Sequence, residues 1–244
     1  MNVKSLLYDY EILDFIGDYS IFQSIKKVND KIFTMKSQEK QTDKELKIRL
    51  EKDASNLNSL EEIKSYLINN SFLDIQKLSK NTVLYDGKVD GKILLIGEAP
   101  GEEEDLQGVP FCGRSGKLLD NALSSIGISR NENLLITNTV FWRPPANRKP
   151  IKSEINLCKP FLLQLIKIVN PKYIILAGSI AAETILEDEK IKISQLRQKI
   201  LSSKNLPSIK IFTIYHPSYL IRNPIAKKDT WKDLLFIQKI INEK

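Results

Sequence analysis

Four short apolar runs constrain this chain more than any other feature: ILLIG (93–97), LLITNTV (134–140), YIILAG (173–178) and IKIFTIY (209–215). They are rich in β-branched and large apolar residues, and they lack the alternation of a strand with one wet face. Such runs read as strands buried on both sides. Between them, apolar residues recur at helical spacing. In Ser115–Gly127, residues Leu118, Leu119, Ala122, Leu123 and Ile126 share one stripe, and Gly127 supplies a stop signal. Ser153–Val169, Ser179–Leu186 and Lys228–Ile241 read as further helices, with Pro160 expected to kink the first of these or restart it after one turn. Strands alternating with helices predict an α/β fold, a central and mostly parallel four-stranded sheet flanked by helices.

Residues 1 to about 80 have a different texture, rich in Lys, Asp, Glu, Ser and Asn. Glu61–Ile75 has helical periodicity, and Ser37–Asn56 reads as a solvated helix or linker. We therefore expect an N-terminal helical, charged extension over residues 1–80 and a catalytic domain over 81–244.

Several function classes fall away on composition. Hydrophobic residues at 42% and charged residues at 27% are those of a chain with a core, not of a disordered one. Two cysteines, Cys112 and Cys158, cannot build a disulfide framework, and a lone histidine, His216, removes most zinc-site arrangements. No apolar run approaches a membrane span, and acidic residues interrupt the N-terminal apolar segment, so a cytoplasmic protein is expected. Lys+Arg 37 against Asp+Glu 30 suits a polyanionic partner but does not identify one.

In open α/β sheets the site lies beyond the carboxyl ends of the strands. The first strand delivers Gly97, Glu98, Ala99, Pro100 and Gly101; the second ends near Asn138; the fourth delivers His216, Pro217 and Ser218. A carboxylate, an amide and the histidine thus converge on one edge. Each has an ordinary structural use as well: Glu98 as a turn cap, Asn138 as a turn amide, His216 as a core or surface residue. The loop after the first strand carries four acids, Glu102 to Asp105, and then Phe111 between Pro110 and Gly113. Acids beside a helix start often only complement its dipole. A second loop, Phe141–Pro150, combines aromatics, Arg143, Arg148 and three prolines, which suits either contact with a nucleic-acid backbone or a stiffened crossover.

The series GEAPGEEED, PFCGRSGKLLD, LLITNTVFWRPPANRKP, CKPFL and HPSYLIRNP, in this order, resembles the family 4 uracil-DNA glycosylases. The motifs span about residues 92–235. The resemblance implies the uracil-DNA glycosylase fold and hydrolysis of the bond between uracil and deoxyribose in DNA, leaving an abasic site and initiating base excision repair. It implies catalytic roles for Glu98, Asp105 and His216. Gly97, Ala99, Pro100, Gly101, Phe111 and Asn138 would bind the base, Phe111 by stacking and Asn138 by reading the pyrimidine edge. Arg143, Arg148, Ser218, Leu220 and Arg222 would contact DNA, the segment around Leu220 wedging the gap left by the flipped base. The expected partner is uracil-containing DNA, met by a monomer associated with the nucleoid. Two alternatives stand beside this reading: a wider preference for deaminated bases such as hypoxanthine and xanthine, or a non-catalytic DNA-binding module.

The sequence departs from the family in one respect. Many members hold an iron–sulfur cluster with four cysteines, of which only Cys158 has a counterpart here; Trp142 stands at the cysteine position of the CRPP motif. One thiolate cannot hold a four-ligand cluster. No metal and no cofactor are expected, and Cys158 is expected to be a buried small apolar residue. A relative that attaches itself covalently to the sugar uses a histidine in an inserted loop; no such insertion follows RPPANRKP.

Overall fold

The computed structural model describes residues 44–188 and 192–243. The chain divides into two compact units, Met1–Ile48 and Arg49–Lys244. Of the first, residues 44–48 are helical; the expected reading of residues 1–43 lies outside the described residues. The second unit contains all that follows.

Among the described residues six strands form one sheet in the order β1-β3-β2-β4-β6-β5. These are β1 (Tyr85–Gly87), β2 (Ile93–Gly97), β3 (Leu134–Asn138), β4 (Tyr173–Ala177), β5 (Leu201–Ser203) and β6 (Leu206–Ile214). The four central strands are mutually parallel and are those expected from the apolar runs. Two antiparallel edge strands, β1 on β3 and β5 on β6, enlarge the sheet beyond four. They escaped the sequence reading because each is three residues long and partly exposed, so neither makes an apolar run.

Burial on both faces accounts for the runs. Ile93, Leu95, Leu134, Ile136, Ile175 and Phe212 point to one face. There they meet α4 (Arg114–Ser124) through Leu119 and Leu123, and α9 (Lys227–Asn242) through Leu234 and Ile237. Alternate residues Leu94, Ile96, Leu135, Ile174 and Leu176 are equally inaccessible on the other face. Gly127 ends the α4 turn as expected: with φ +78 it lets the Ile128 N–H reach the Leu123 carbonyl at 3.1 Å.

The helix α5 (Lys152–Val169) is a single helix containing Pro160, without the expected restart. The proline forfeits one backbone hydrogen bond, but its neighbours Leu157, Phe161, Leu162 and Leu165 are buried, and that packing carries the helix through.

The boundary expected at residue 80 is also displaced. Helices α1 (Leu60–Asn69) and α2 (Asp74–Leu78) belong to the same unit as the sheet. Tyr66 lies 5.1 Å from the Phe161 ring, Phe72 stacks on Phe161 at 5.7 Å, and Gln164 Nε2 donates to the Leu57 carbonyl. The helices thus cover α5 as part of the core. No helix among the described residues is long and apolar enough to cross a membrane.

Candidate active site

The carboxyl ends of β2 and β3 are in register, with Gly97 opposite Asn138. Beyond them the chains stay tied: the Thr139 N–H donates to the Gly97 carbonyl at 3.0 Å, and the Val140 N–H to the Glu98 carbonyl at 3.2 Å. Gly97 must be glycine at this place. A Cβ there would stand 2.5 Å from the Phe111 ring and would overlap Asn138 Oδ1. The Phe111 ring edge and the Asn138 amide therefore both stand against the backbone of β2 at Gly97, and the ground beside them is the candidate recess.

His216 follows β6 and precedes α8 (Pro217–Arg222). Its ring lies 5.6 Å from that of Phe111, tilted by 35°. The Ser218 N–H donates to His216 Nδ1 at 3.2 Å, with Ser218 Oγ 2.8 Å away. A backbone N–H can only donate, so Nδ1 is an acceptor and the ring proton resides on Nε2. Burial, aided by the positive Arg222, lowers the imidazole pKa to about 4. The residue as a whole is half-buried, yet Nε2 is sealed from solvent and has no protein partner. Asn138 Oδ1 is buried and unpartnered in the same way. Leaving such atoms unsatisfied costs about 1–3 kcal/mol each. Phe111, which stands against the Gly97 backbone with Asn138 and neighbours the His216 ring, is itself 5% exposed.

Glu98 is half-buried beside this recess. Burial raises its carboxyl pKa; Lys149 and Arg222 oppose the rise and Glu183 reinforces it. Two cations therefore act on this carboxylate, of which Lys149 had no part in the sequence reading. Ala99 and Gly101 are half-buried and Pro100 buried along the same loop.

Asp105 and Glu104, in α3 (Glu102–Gln107), have other surroundings. Asp105 Oδ1 accepts the N–H groups of Lys80 at 2.9 Å and Asn81 at 3.1 Å, fastening the segment before β1. Glu104, which sequence reasoning passed over, accepts from the Gly101 N–H at 3.1 Å and the Gly113 N–H at 3.0 Å. It thus joins the two ends of the loop that carries Phe111. Its spacing of three from Gly101, as in a capping box, was the available signal.

The residues expected to contact DNA divide. Arg222 is exposed. Ser218 is engaged with His216. Arg148 forks onto the buried Glu154 at 2.9 and 2.5 Å, and Arg143 donates to Asn147 Oδ1 at 2.8 Å. Arg148, with the Ile151 N–H, holds the Glu154 carboxyl below its usual range against the opposing effect of burial. Arg148 thus ties its loop to α5, and Arg143, also 3.6 Å from Glu102, ties it to α3. Leu220, expected as a wedge, is only 5% exposed and lines an apolar cavity with Leu118, Leu119 and Leu234. The exposed apolar groups at this edge are Tyr219 and Ile225.

The residues present do not fit an iron–sulfur cluster. Cys158 is fully buried, and burial pushes its thiol far up, opposed by a hydrogen bond from the Phe141 backbone. Trp142 is buried, donates its indole N–H to Thr82 Oγ1 at 3.0 Å, and meets Phe72 edge-on at 5.6 Å. Phe72 in turn stacks on Phe161, so Trp142, at the position of the family's cysteine, is part of an aromatic cluster. Cys112 is half-buried on the loop beside Phe111. Among the described residues no group of three or more His, Cys, Asp or Glu is placed to hold a metal ion.

An aromatic ring and an amide against one glycine, an imidazole with a buried Nε2 beside that ring, and a half-buried carboxylate next to the glycine in the chain suit a hydrolase acting on a planar heterocycle. A family model described as the uracil DNA glycosylase superfamily matches residues 84–236. The chain is 39% identical over 165 residues to a type-4 uracil-DNA glycosylase of Thermotoga maritima, covering 65% of this chain and 84% of that protein. It is 32% identical over 192 residues to a type-4 uracil-DNA glycosylase of Archaeoglobus fulgidus, covering 77% and 96%. The chain belongs to the uracil-DNA glycosylase superfamily and, within it, to the type-4 enzymes, hydrolases of N-glycosyl bonds.

Proposed function

We propose that this protein removes uracil from DNA by hydrolysis after the nucleotide has been flipped into the recess, and so begins base excision repair. The observation that carries the reading is the pair of buried, unpartnered polar atoms, Asn138 Oδ1 and His216 Nε2, the first meeting the Phe111 ring over Gly97 and the second on the ring that neighbours Phe111. Uracil offers a complementary set. Its π face stacks on Phe111. Its N3–H donates to Asn138 Oδ1, while the amide nitrogen of Asn138 donates to O4; cytosine presents the opposite polarity at both positions. Its O2 accepts from His216 Nε2.

Cleavage of the C1′–N1 bond leaves the bonding electrons on uracil and a cationic sugar. The neutral imidazole donor stabilises the charge that develops on O2, an interaction stronger in the transition state than in the ground state. Glu98 holds the attacking water, accepts its proton as oxygen bonds to C1′, and returns it to solvent; its negative charge also offsets the cation. Asp105, gripping two backbone amides, acts by positioning its loop. Lys149 and Arg222 at the rim hold phosphates of the distorted strand. We assign the reaction to the protein's own side chains, with the aromatic packing around Cys158 and Trp142 in place of a cluster.

The test is a denaturing-gel assay on labelled oligonucleotides bearing one uracil, single-stranded or paired with G or A, with parallel hypoxanthine and xanthine substrates. A shorter product appearing only after alkali, and preferentially from uracil, is expected. An uncut uracil strand with cut hypoxanthine or xanthine would transfer the reading to other bases. No cleavage of any substrate would leave a binding module.

A further inference from the structure

Phe111 does not hold its place unaided. Its φ of +53 lies in the left-handed region, unusual for a bulky aromatic residue, and such a conformation persists only where the surroundings over-determine it. One side chain grips the backbone there. Arg130 Nη2 donates to the Phe111 carbonyl at 2.7 Å, and Nη1 to the preceding Pro110 carbonyl at 2.8 Å. The same guanidinium is anchored by carboxylates on two rigid elements: Asp86 Oδ2 on β1 at 2.7 Å and Asp120 Oδ1 on α4 at 2.9 Å. Its side chain is 15% exposed. From the other side, α4 approaches so closely that a Cβ on Gly116 would overlap the Phe111 carbonyl.

We propose that Arg130 is the positioning residue for base stacking: it fixes two successive peptide planes and so sets the orientation of the Phe111 ring against His216. The inference rests on the reading of Phe111 as the ring that stacks on uracil. Arg130 lies behind the Phe111 backbone and acts on the base only through that ring. Two carboxylates neutralise the guanidinium and fix its plane, which leaves its remaining N–H groups aimed at the two carbonyls. A lysine, with one tetrahedral ammonium, cannot serve four acceptors in this planar array. The carboxylates are what a sequence reader sees as surface charge; the carbonyls carry no sequence signal.

The experiment is a double-mutant cycle of Arg130→Lys and Phe111→Leu, read as single-turnover cleavage rate, inhibition by free uracil, and affinity for abasic product DNA, with melting temperature in parallel. Arg130→Lys is expected to slow cleavage and to weaken uracil inhibition by about tenfold, equivalent to ~1.4 kcal/mol, while product-DNA affinity stays within about twofold, or ~0.4 kcal/mol. In the Phe111→Leu background it should add almost nothing, because the ring it orients is gone. Should Arg130→Lys fail to fold, Asp120→Ala, which removes only the acceptor of Nε, is expected to give a smaller loss of uracil inhibition that again vanishes beside Phe111→Leu. Additive effects, or a loss of stability with unchanged uracil inhibition, overturn the proposal. If Phe111→Leu alone alters neither rate nor inhibition, the stacking reading itself fails and this inference fails with it, an outcome distinct from an inert Arg130.

Discussion

Replacing His216 with Gln removes the only histidine of the chain and, with it, a titration that the fold suppresses. The folded imidazole has a pKa lowered from 6.5 to about 4, first because burial disfavours the cation and then because Arg222 repels it. Between those values the unfolded chain binds a proton that the folded chain excludes. The histidine's contribution to stability is therefore complete above about pH 6.5 and is lost as pH falls towards 4. A gap of about 2.5 pH units at about 1.36 kcal/mol each makes the full loss about 3 kcal/mol, of which about 2 kcal/mol has gone by pH 5. Urea unfolding of wild type and His216→Gln at pH 7 and pH 5 isolates this contribution, since titrations common to both proteins cancel in the difference. Wild type should lose about 2 kcal/mol more than the variant on going to pH 5. Equal pH dependence would refute the sealed, neutral imidazole. The kinetics carry the same argument. His216→Ala should slow cleavage by about 10²–10³-fold at pH 7, the usual cost of one preorganised donor, and the wild-type rate should show no titration at the ordinary histidine value of about 6.5.

Further expectations concern the other groups of the site. Glu98→Gln keeps the shape and removes the base; cleavage should slow by about 10²–10⁴-fold with little change in DNA affinity. Because burial raises the Glu98 carboxyl, the acid limb of the wild-type rate should begin above the ordinary carboxylate range and be absent from the residual activity of the variant. Asn138→Asp should lower kcat/KM on uracil DNA by about 10–100-fold while leaving the affinity for uracil-free DNA intact; a matching loss on both would make Asn138 a backbone contact. Lys149→Ala and Arg222→Ala should each reduce the slope of log affinity against log salt by about one, whereas Arg148→Ala, which breaks the fork on Glu154, should lower the melting temperature and leave that slope unchanged. Purified protein should contain no stoichiometric iron by metal analysis, and Trp142→Ala should destabilise it by about 3–5 kcal/mol.

The division between what could be read in the sequence and what could not follows from the kind of partner each residue meets. The central strands were legible because β2, β3 and β4 are buried throughout and β6 along its C-terminal half, which leaves a continuous apolar signature. Helical periodicity over Glu61–Ile75 showed neither the break between α1 and α2 nor their destination, since Tyr66 and, between the helices, Phe72 find Phe161 and Trp142 some seventy or more residues away. In the site, Asn138 and His216 stand out because they end strands and belong to the few residue types that suit a base edge. The ion pair of Arg148 was not legible: positive charge in a proline-stiffened loop looks the same whether or not it also holds a carboxylate such as Glu154, six residues on. Glu104 and Arg130 left the faintest trace. Both work by gripping the main chain, Glu104 at Gly101 and Gly113, Arg130 at Pro110 and Phe111, and every residue has a carbonyl. Groups that would meet the substrate are therefore the legible part of such a site, because the chemistry of uracil restricts them to a few side chains. Groups that hold the backbone in place are restricted only by geometry, and geometry exists only once the chain has folded.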